Sequence, residues 1–117
     1  MKVGIIGGGS VPRYYDLLDK KLNTLMETSQ CFLFYILCGY VDGRKSEEKS
    51  LGELWAEKNG APIYYIHAET KEKLIEKMLK ECDYAIFILE ENNIKIKNLF
   101  MKFKMTGKHG SVIKPWI

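Results

Sequence analysis

Short apolar runs alternate with segments of helical period along the whole chain. Lys2–Ile6 reads as a strand that stops at Gly7-Gly8-Gly9-Ser10. Pro12 suits a first helical turn, where its missing N–H costs nothing. Tyr15, Leu18, Leu22 and Leu25 then recur at helical spacing and predict a helix over 13–27. Cys31–Cys38 is apolar throughout and rich in aromatic residues, as expected of a strand buried on both faces of a parallel sheet. A loop runs from Gly39 to Arg44. Ser46 then caps a helix with Glu47 and Glu48 in its first turn, Leu51, Leu54 and Trp55 on its inner face, and Asn59-Gly60 as its stop. Pro62–His67 reads as the third strand. Thr70 caps a helix with Leu74, Ile75, Met78 and Leu79 inward, and Tyr84–Leu89 is the fourth strand. Asn92–Met105 is the fourth helix, with Ile96, Leu99, Phe100 and Phe103 spaced i, i+3, i+4, i+7 along one core stripe. Gly107 and Gly110 end it, and Ser111–Trp116 is the last strand.

This βαβαβαβαβ order predicts an α/β fold: one three-layer, Rossmann-like domain over residues 1–117, with about five parallel strands and right-handed helical crossovers. The expected strand order is 3-2-1-4-5. Ligands of such sheets bind beyond the carboxyl ends of the strands where the winding reverses, here strands 1 and 4. Gly7–Ser10 and Glu90–Asn93 would then face each other across one cleft.

Composition narrows the classes. At 46% hydrophobic and 12% aromatic residues, a chain of 117 residues is no disordered tail and holds enough apolar surface for one core. No apolar run approaches the roughly 20 residues of a membrane span. The opening residues lack the apolar stretch of a secretory signal, so a cytoplasmic, reduced setting is expected, with no membrane partner. Three cysteines (Cys31, Cys38, Cys82) are too few, and odd in number, for a disulfide framework, and they read as buried packing residues. His67 and His109 lie at no metal-ligand spacing from cysteines or carboxylates, so neither a metal site nor a cofactor is expected. No nucleophile–base pair stands out, and no catalytic residue is nominated.

The net charge of +3 hides an asymmetry. Residues 1–91 hold all 15 acids against 12 bases, whereas residues 92–117 hold six lysines and no acid. Lys95, Lys97, Lys102 and Lys104 flank the apolar stripe of the fourth helix, Lys97 and Lys104 on one side and Lys95 and Lys102 on the other. Such lysines are ordinary on an amphipathic helix. They also offer a surface to an acidic protein, or to nucleic acid with Phe100, Phe103 and Trp116 interleaved.

The chemistry-bearing feature is Gly7-Gly8-Gly9-Ser10. Glycines after a first strand let the backbone approach a ligand, and the helix that follows offers free N–H groups to a phosphate. Ser10 and Arg13 are the adjacent polar groups. Neither G-x-G-x-x-G nor G-x-x-x-x-G-K is present, and a tight turn at positive φ needs the same glycines without a ligand. Glu90 and Glu91 would stand on the facing lip. A carboxylate 4 Å from a phosphate costs about 4 kcal/mol at an effective dielectric of about 20. They therefore turn to solvent, bind ribose hydroxyls, or mark a cleft that takes no phosphate.

The strand–glycine–helix opening is followed by a strand ending in Cys38-Gly39 and by Leu51-Gly52-Glu53-Leu54-Trp55-Ala56-Glu57-Lys58-Asn59-Gly60-Ala61-Pro62. With Tyr14-Tyr15-Asp16-Leu17-Leu18 and Asp83-Tyr84-Ala85-Ile86, this pattern resembles the SLOG superfamily, which includes the DNA-processing protein A and "lonely guy" (lysine-decarboxylase-like) groups. The likeness is to its small single-domain members and spans most of the chain. It implies a Rossmann-like fold, a nucleotide-like ligand, self-association into a homo-oligomer, and Gly8, Gly9 and Gly39 as ligand-facing backbone. The departures fall on the chemistry. Gly39-Tyr40-Val41-Asp42-Gly43-Arg44 replaces the family's G-G-A-x-G-A-D, and Lys49 stands where its acidic residue would fall. Glu90-Glu91-Asn92-Asn93-Ile94 replaces its phosphate-binding G-T, and the P-G-G-x-G-T-x-x-E signature of the phosphoribohydrolases is absent.

The sequence reading is therefore non-catalytic binding of a nucleotide or nucleotide-derived ligand at Gly7, Gly8, Gly9, Ser10 and Arg13, with Gly39 beside them. One alternative is a phage or mobile-element module that has kept the fold, binds a host-defence factor through Lys95, Lys97, Lys102 and Lys104, or sequesters a nucleotide signal. The other is a nucleoside-monophosphate phosphoribohydrolase that uses Glu90 or Glu91.

Overall fold

The computed structural model describes residues 1–7, 12–29, 34–41, 50–89 and 94–114. Five strands alternate with four helices: β1 (Lys2–Ile6), α1 (Tyr15–Ser29), β2 (Tyr35–Val41), α2 (Leu51–Asn59), β3 (Ile63–Ala68), α3 (Lys71–Glu81), β4 (Tyr84–Ile88), α4 (Ile94–Lys104) and β5 (His109–Ile113). All strands join one parallel sheet in the order β3-β2-β1-β4-β5. The winding therefore reverses between β1 and β4, as the sequence order required. Val3 lies opposite Ile36 of β2 and Tyr84 of β4, so β1 is the central strand.

Each face of the sheet carries two helices. On one, Leu18 and Leu22 of α1 and Leu51, Trp55 and Ala56 of α2 cover Val3, Ile36, Cys38, Ile86 and Ile88. On the other, Leu74 and Met78 of α3 and Ile96 and Phe103 of α4 cover Ile6, Leu37, Ile66, Ala85 and Phe87. Strands β2 and β4 are buried on both faces, which is why their sequences are apolar without alternation.

Several boundaries differ from expectation. β2 begins at Tyr35, not Cys31: Phe34 is buried ahead of the strand, and Cys31 lies outside the described residues. The cap of α2 is Ser50, not Ser46. Ser50 Oγ accepts from Glu53 N, and the Glu53 side chain accepts from Ser50 N, a reciprocal capping box. Ser46 is followed at the third position by Lys49, which cannot close that box, and it lies outside the described residues. Leu54 is exposed and does not join the inner face; Gly52, Glu53 and Ala56 are buried beside Leu51 and Trp55 instead. Gly60 closes α2 at φ 67 in the left-handed region, as Asn59-Gly60 predicted. Thr70 caps α3, accepting from Lys73 N at 3.3 Å. β5 starts at His109 rather than Ser111, because His109 and Gly110 already pair with Tyr84 and Ala85.

Candidate functional site

Gly7 sits immediately beyond β1, at the point of reversed winding. Its φ is 91°, and a β-carbon there would stand 2.7 Å from the carbonyl oxygen of Ile88 at the end of β4. Both facts exclude a side chain: the backbone conformation favours glycine, and the obstacle is main chain that cannot swing aside. The tight-turn role of Gly7 is thus accounted for by β1 and β4 themselves. Gly8, Gly9 and Ser10 follow it in sequence and lie outside the described residues, as do Glu90, Glu91 and Lys49.

Arg13 is exposed in a short 3-10 turn, Pro12–Tyr14, that leads into α1. Its guanidinium donates from Nη2 to Tyr14 Oη at 3.1 Å and lies 5.0 Å from the centre of the Tyr14 ring. Tyr14 itself is buried among the α1 and α2 core residues, so it anchors the turn that carries Arg13. Arg13 is therefore held at the start of α1 on the sheet's carboxyl edge, the same edge as Gly7.

Gly39 is a different case. It lies within β2 opposite Ile66, and a β-carbon there would stand 2.5 Å from Leu74 Cδ1 and 2.8 Å from Cγ. Its missing side chain is filled by α3. The packing of Leu74 gives a reason for this glycine that needs no ligand.

Sequence reasoning did not single out the side chains that gather beside the α2 N-terminus. Glu53 is only 2% exposed. Its carboxylate accepts from Ser50 N and Ser50 Oγ, each at 3.4 Å, and from Tyr65 Oη at 3.5 Å. Tyr65 packs edge-on to Tyr40 with ring centres 6.3 Å apart, and Tyr40 lies 5.0 Å from the His67 ring. Register explains the grouping: Cys38 pairs with Tyr65 and Tyr40 with His67, so these alternate side chains share the α2 face near the carboxyl ends of β2 and β3. The Ser50-x-x-Glu53 spacing is the signal that marks this helix start, and the expectation of Ser46 passed over it. Nothing in the spacing of Tyr40, Tyr65 and His67 announced their meeting.

Cys38 and Cys82 are buried, as expected. Burial pushes the Cys82 thiol above its ordinary value of 9.0, against an opposing pull from Lys108. Lys108 Nζ donates to the carbonyls of Leu79, Lys80 and Cys82 at 3.1, 2.8 and 3.2 Å, closing the carboxyl end of α3. One of the six C-terminal lysines is thereby committed to structure. Among the described residues no group of three His, Cys, Asp or Glu side chains comes together to hold a metal ion, and no helix is long and apolar enough to cross a membrane. No protein-family model and no curated protein matches the chain.

Proposed function

We propose that the chain binds a nucleotide or nucleotide-derived ligand at the carboxyl edge of the sheet, in the crevice that begins at Gly7, and does not turn it over. The observation that carries this reading is the reversal of winding between β1 and β4 with Gly7 at the junction. That topology opens a crevice where the connections leave the sheet in opposite directions. Arg13 supplies a cation on the same edge, and the glycines after Gly7 supply backbone donors. The aromatic group of Tyr40, Tyr65 and His67 lies towards the β3 side of that edge and offers ring surface to a base.

The test is a calorimetric titration of the intact chain with nucleoside mono-, di- and triphosphates, cyclic nucleotides and inorganic phosphate. Saturable binding of a nucleotide, weakened by Gly8→Asp and Arg13→Glu and accompanied by no product on prolonged incubation, is expected. A folded chain that binds none of them refutes the reading, and release of a free base would replace it with the phosphoribohydrolase alternative.

A further inference from the structure

Among the described residues, the outward face of α4 stands apart. Among the described residues, the three most exposed large apolar side chains are Met105 at 88%, Ile94 at 70% and Met101 at 59%. Ile94 and Met101 are seven positions apart, nearly two full turns, and so fall on one line along the helix, with Asn98 between them. Met105 follows in the turn that closes the helix. This line runs opposite the core stripe of Ile96 and Phe103. Lys97 and Lys104 border it on one side, Lys95 and Lys102 on the other. None of the four makes an ion pair with a described acid, and residues 92–117 contain no acid at all.

Isolated exposed apolar residues need no explanation, but the three most exposed ones aligned between two rows of lysines do. We infer that this face docks an acidic, amphipathic segment of a protein partner, whose apolar side chains cover Ile94, Met101 and Met105 while its carboxylates meet the lysine rows. The charge on α4 is of one sign, so its complement is acidic. The apolar line is one residue wide, which fits between the side chains of a second helix. Methionine suits such a contact because its flexible thioether adapts to the partner's shape.

The same features argue against the other polyanions. Stacking of bases requires exposed rings, but Phe100 and Phe103 pack against Phe87 with ring centres 5.3 and 5.5 Å away. Nucleic acid would leave the methionines against phosphate or water. A membrane-surface helix inserts a broad apolar face, and the broad face of α4 is occupied by its own sheet. The inference is independent of any ligand at Gly7.

The probe is a synthetic helical peptide with leucine on one stripe and glutamate on both flanks, measured by fluorescence anisotropy. Controls are a scrambled peptide of the same composition, a DNA duplex, a DNA single strand, and phosphatidylserine-containing vesicles. The patterned peptide is expected to bind more tightly than any control, with salt weakening it. Combining Lys97→Glu with Lys102→Glu should lower affinity about tenfold or more. Met101→Ser with Met105→Ser should lower it several-fold, while leaving the melting temperature close to that of the parent. Absence of binding, equal binding of the scrambled peptide, tighter binding of DNA or vesicles, or indifference to the methionine pair would each overturn the proposal.

Discussion

The two faces of the sheet bury similar apolar sets but are secured differently. On the α1/α2 face, polar groups are built into the packing. Trp55 Nε1 donates to Asp19 Oδ1 at 2.8 Å and joins the two helices, and Glu53 lies buried within its capping box. Gly52 lets α2 settle onto β1 and β2, since a β-carbon there would stand 3.1 Å from Ile5 Cδ1 and 3.3 Å from Ile36 Cγ2. On the α3/α4 face the buried side chains among the described residues are apolar, and the polar contacts lie around the rim: Thr70 at the start of α3, Lys77 on the carbonyl of His67, and Lys108 at the helix's finish. The outside of α4 is left charged and apolar at once. One face thus specifies geometry beside the predicted crevice, and the other presents a surface.

The largest effect expected is at Trp55, the largest fully buried side chain of the described residues. Trp55→Ala should destabilise the fold by about 3–5 kcal/mol, whereas Trp55→Phe should cost nearer 1 kcal/mol for the lost bond to Asp19. Urea midpoints measure both. If Asp19→Ala left the fold as stable as before, the polar pin between α1 and α2 would be unimportant and the contrast between faces would weaken.

The apolar face is probed at Gly39. Gly39→Ala forces Leu74 aside and should cost about 1–3 kcal/mol. Adding Leu74→Ala makes room for the new methyl group, so the pair should be less destabilised than the sum of the singles. Strict additivity in that double-mutant cycle would show that packing against Leu74 does not explain the glycine, and would return weight to a ligand-facing role.

At the ends of α3 the effects are smaller. Lys108→Met keeps the stem but removes the ammonium from three carbonyls, and should cost about 1 kcal/mol, less at high salt. Thermal melts at two ionic strengths test this. Nearby, Cys82 gives a dependence on pH. Its thiol stays protonated in the fold at pH values where the unfolded chain ionises it. Stability attributable to Cys82 is therefore unchanged below its ordinary value of 9.0 and falls as pH rises past that value towards the higher folded one. Relative to Cys82→Ala, the parent should lose denaturation midpoint only above that pH; a parallel pair of profiles would contradict the buried-thiol account.

The fold was legible in the chain because each element carries its own local signal. Near-continuous apolar runs at β2 and β4 signal strands covered on both faces, and Thr70 and Gly60 mark helix ends by capping chemistry. What such runs lack is phase. Cys31–Cys38 offers no polar residue to fix where pairing begins, so β2 was placed too early. Ser46 and Ser50 are both serines near glutamates, and only the N3 position of Glu53 separates them. The turn at Gly7 was legible because it is local. The meeting of Tyr40, Tyr65 and His67, set by parallel register between β2 and β3, was not legible, nor was the approach of Glu53 from α2 to Tyr65. The packing of Gly39 under Leu74 was hidden for the same reason.

The ligand's place on the molecule can be measured. Amide chemical shifts of the intact, isotopically labelled chain, followed during titration with a nucleoside monophosphate, locate it directly. The expected result is saturable shifts at Gly7, Arg13 and Ser50 on the carboxyl edge of the sheet, with the amides of Lys97, Met101 and Lys104 on α4 unmoved. Shifts confined to α4, or none at saturating nucleotide, would contradict it.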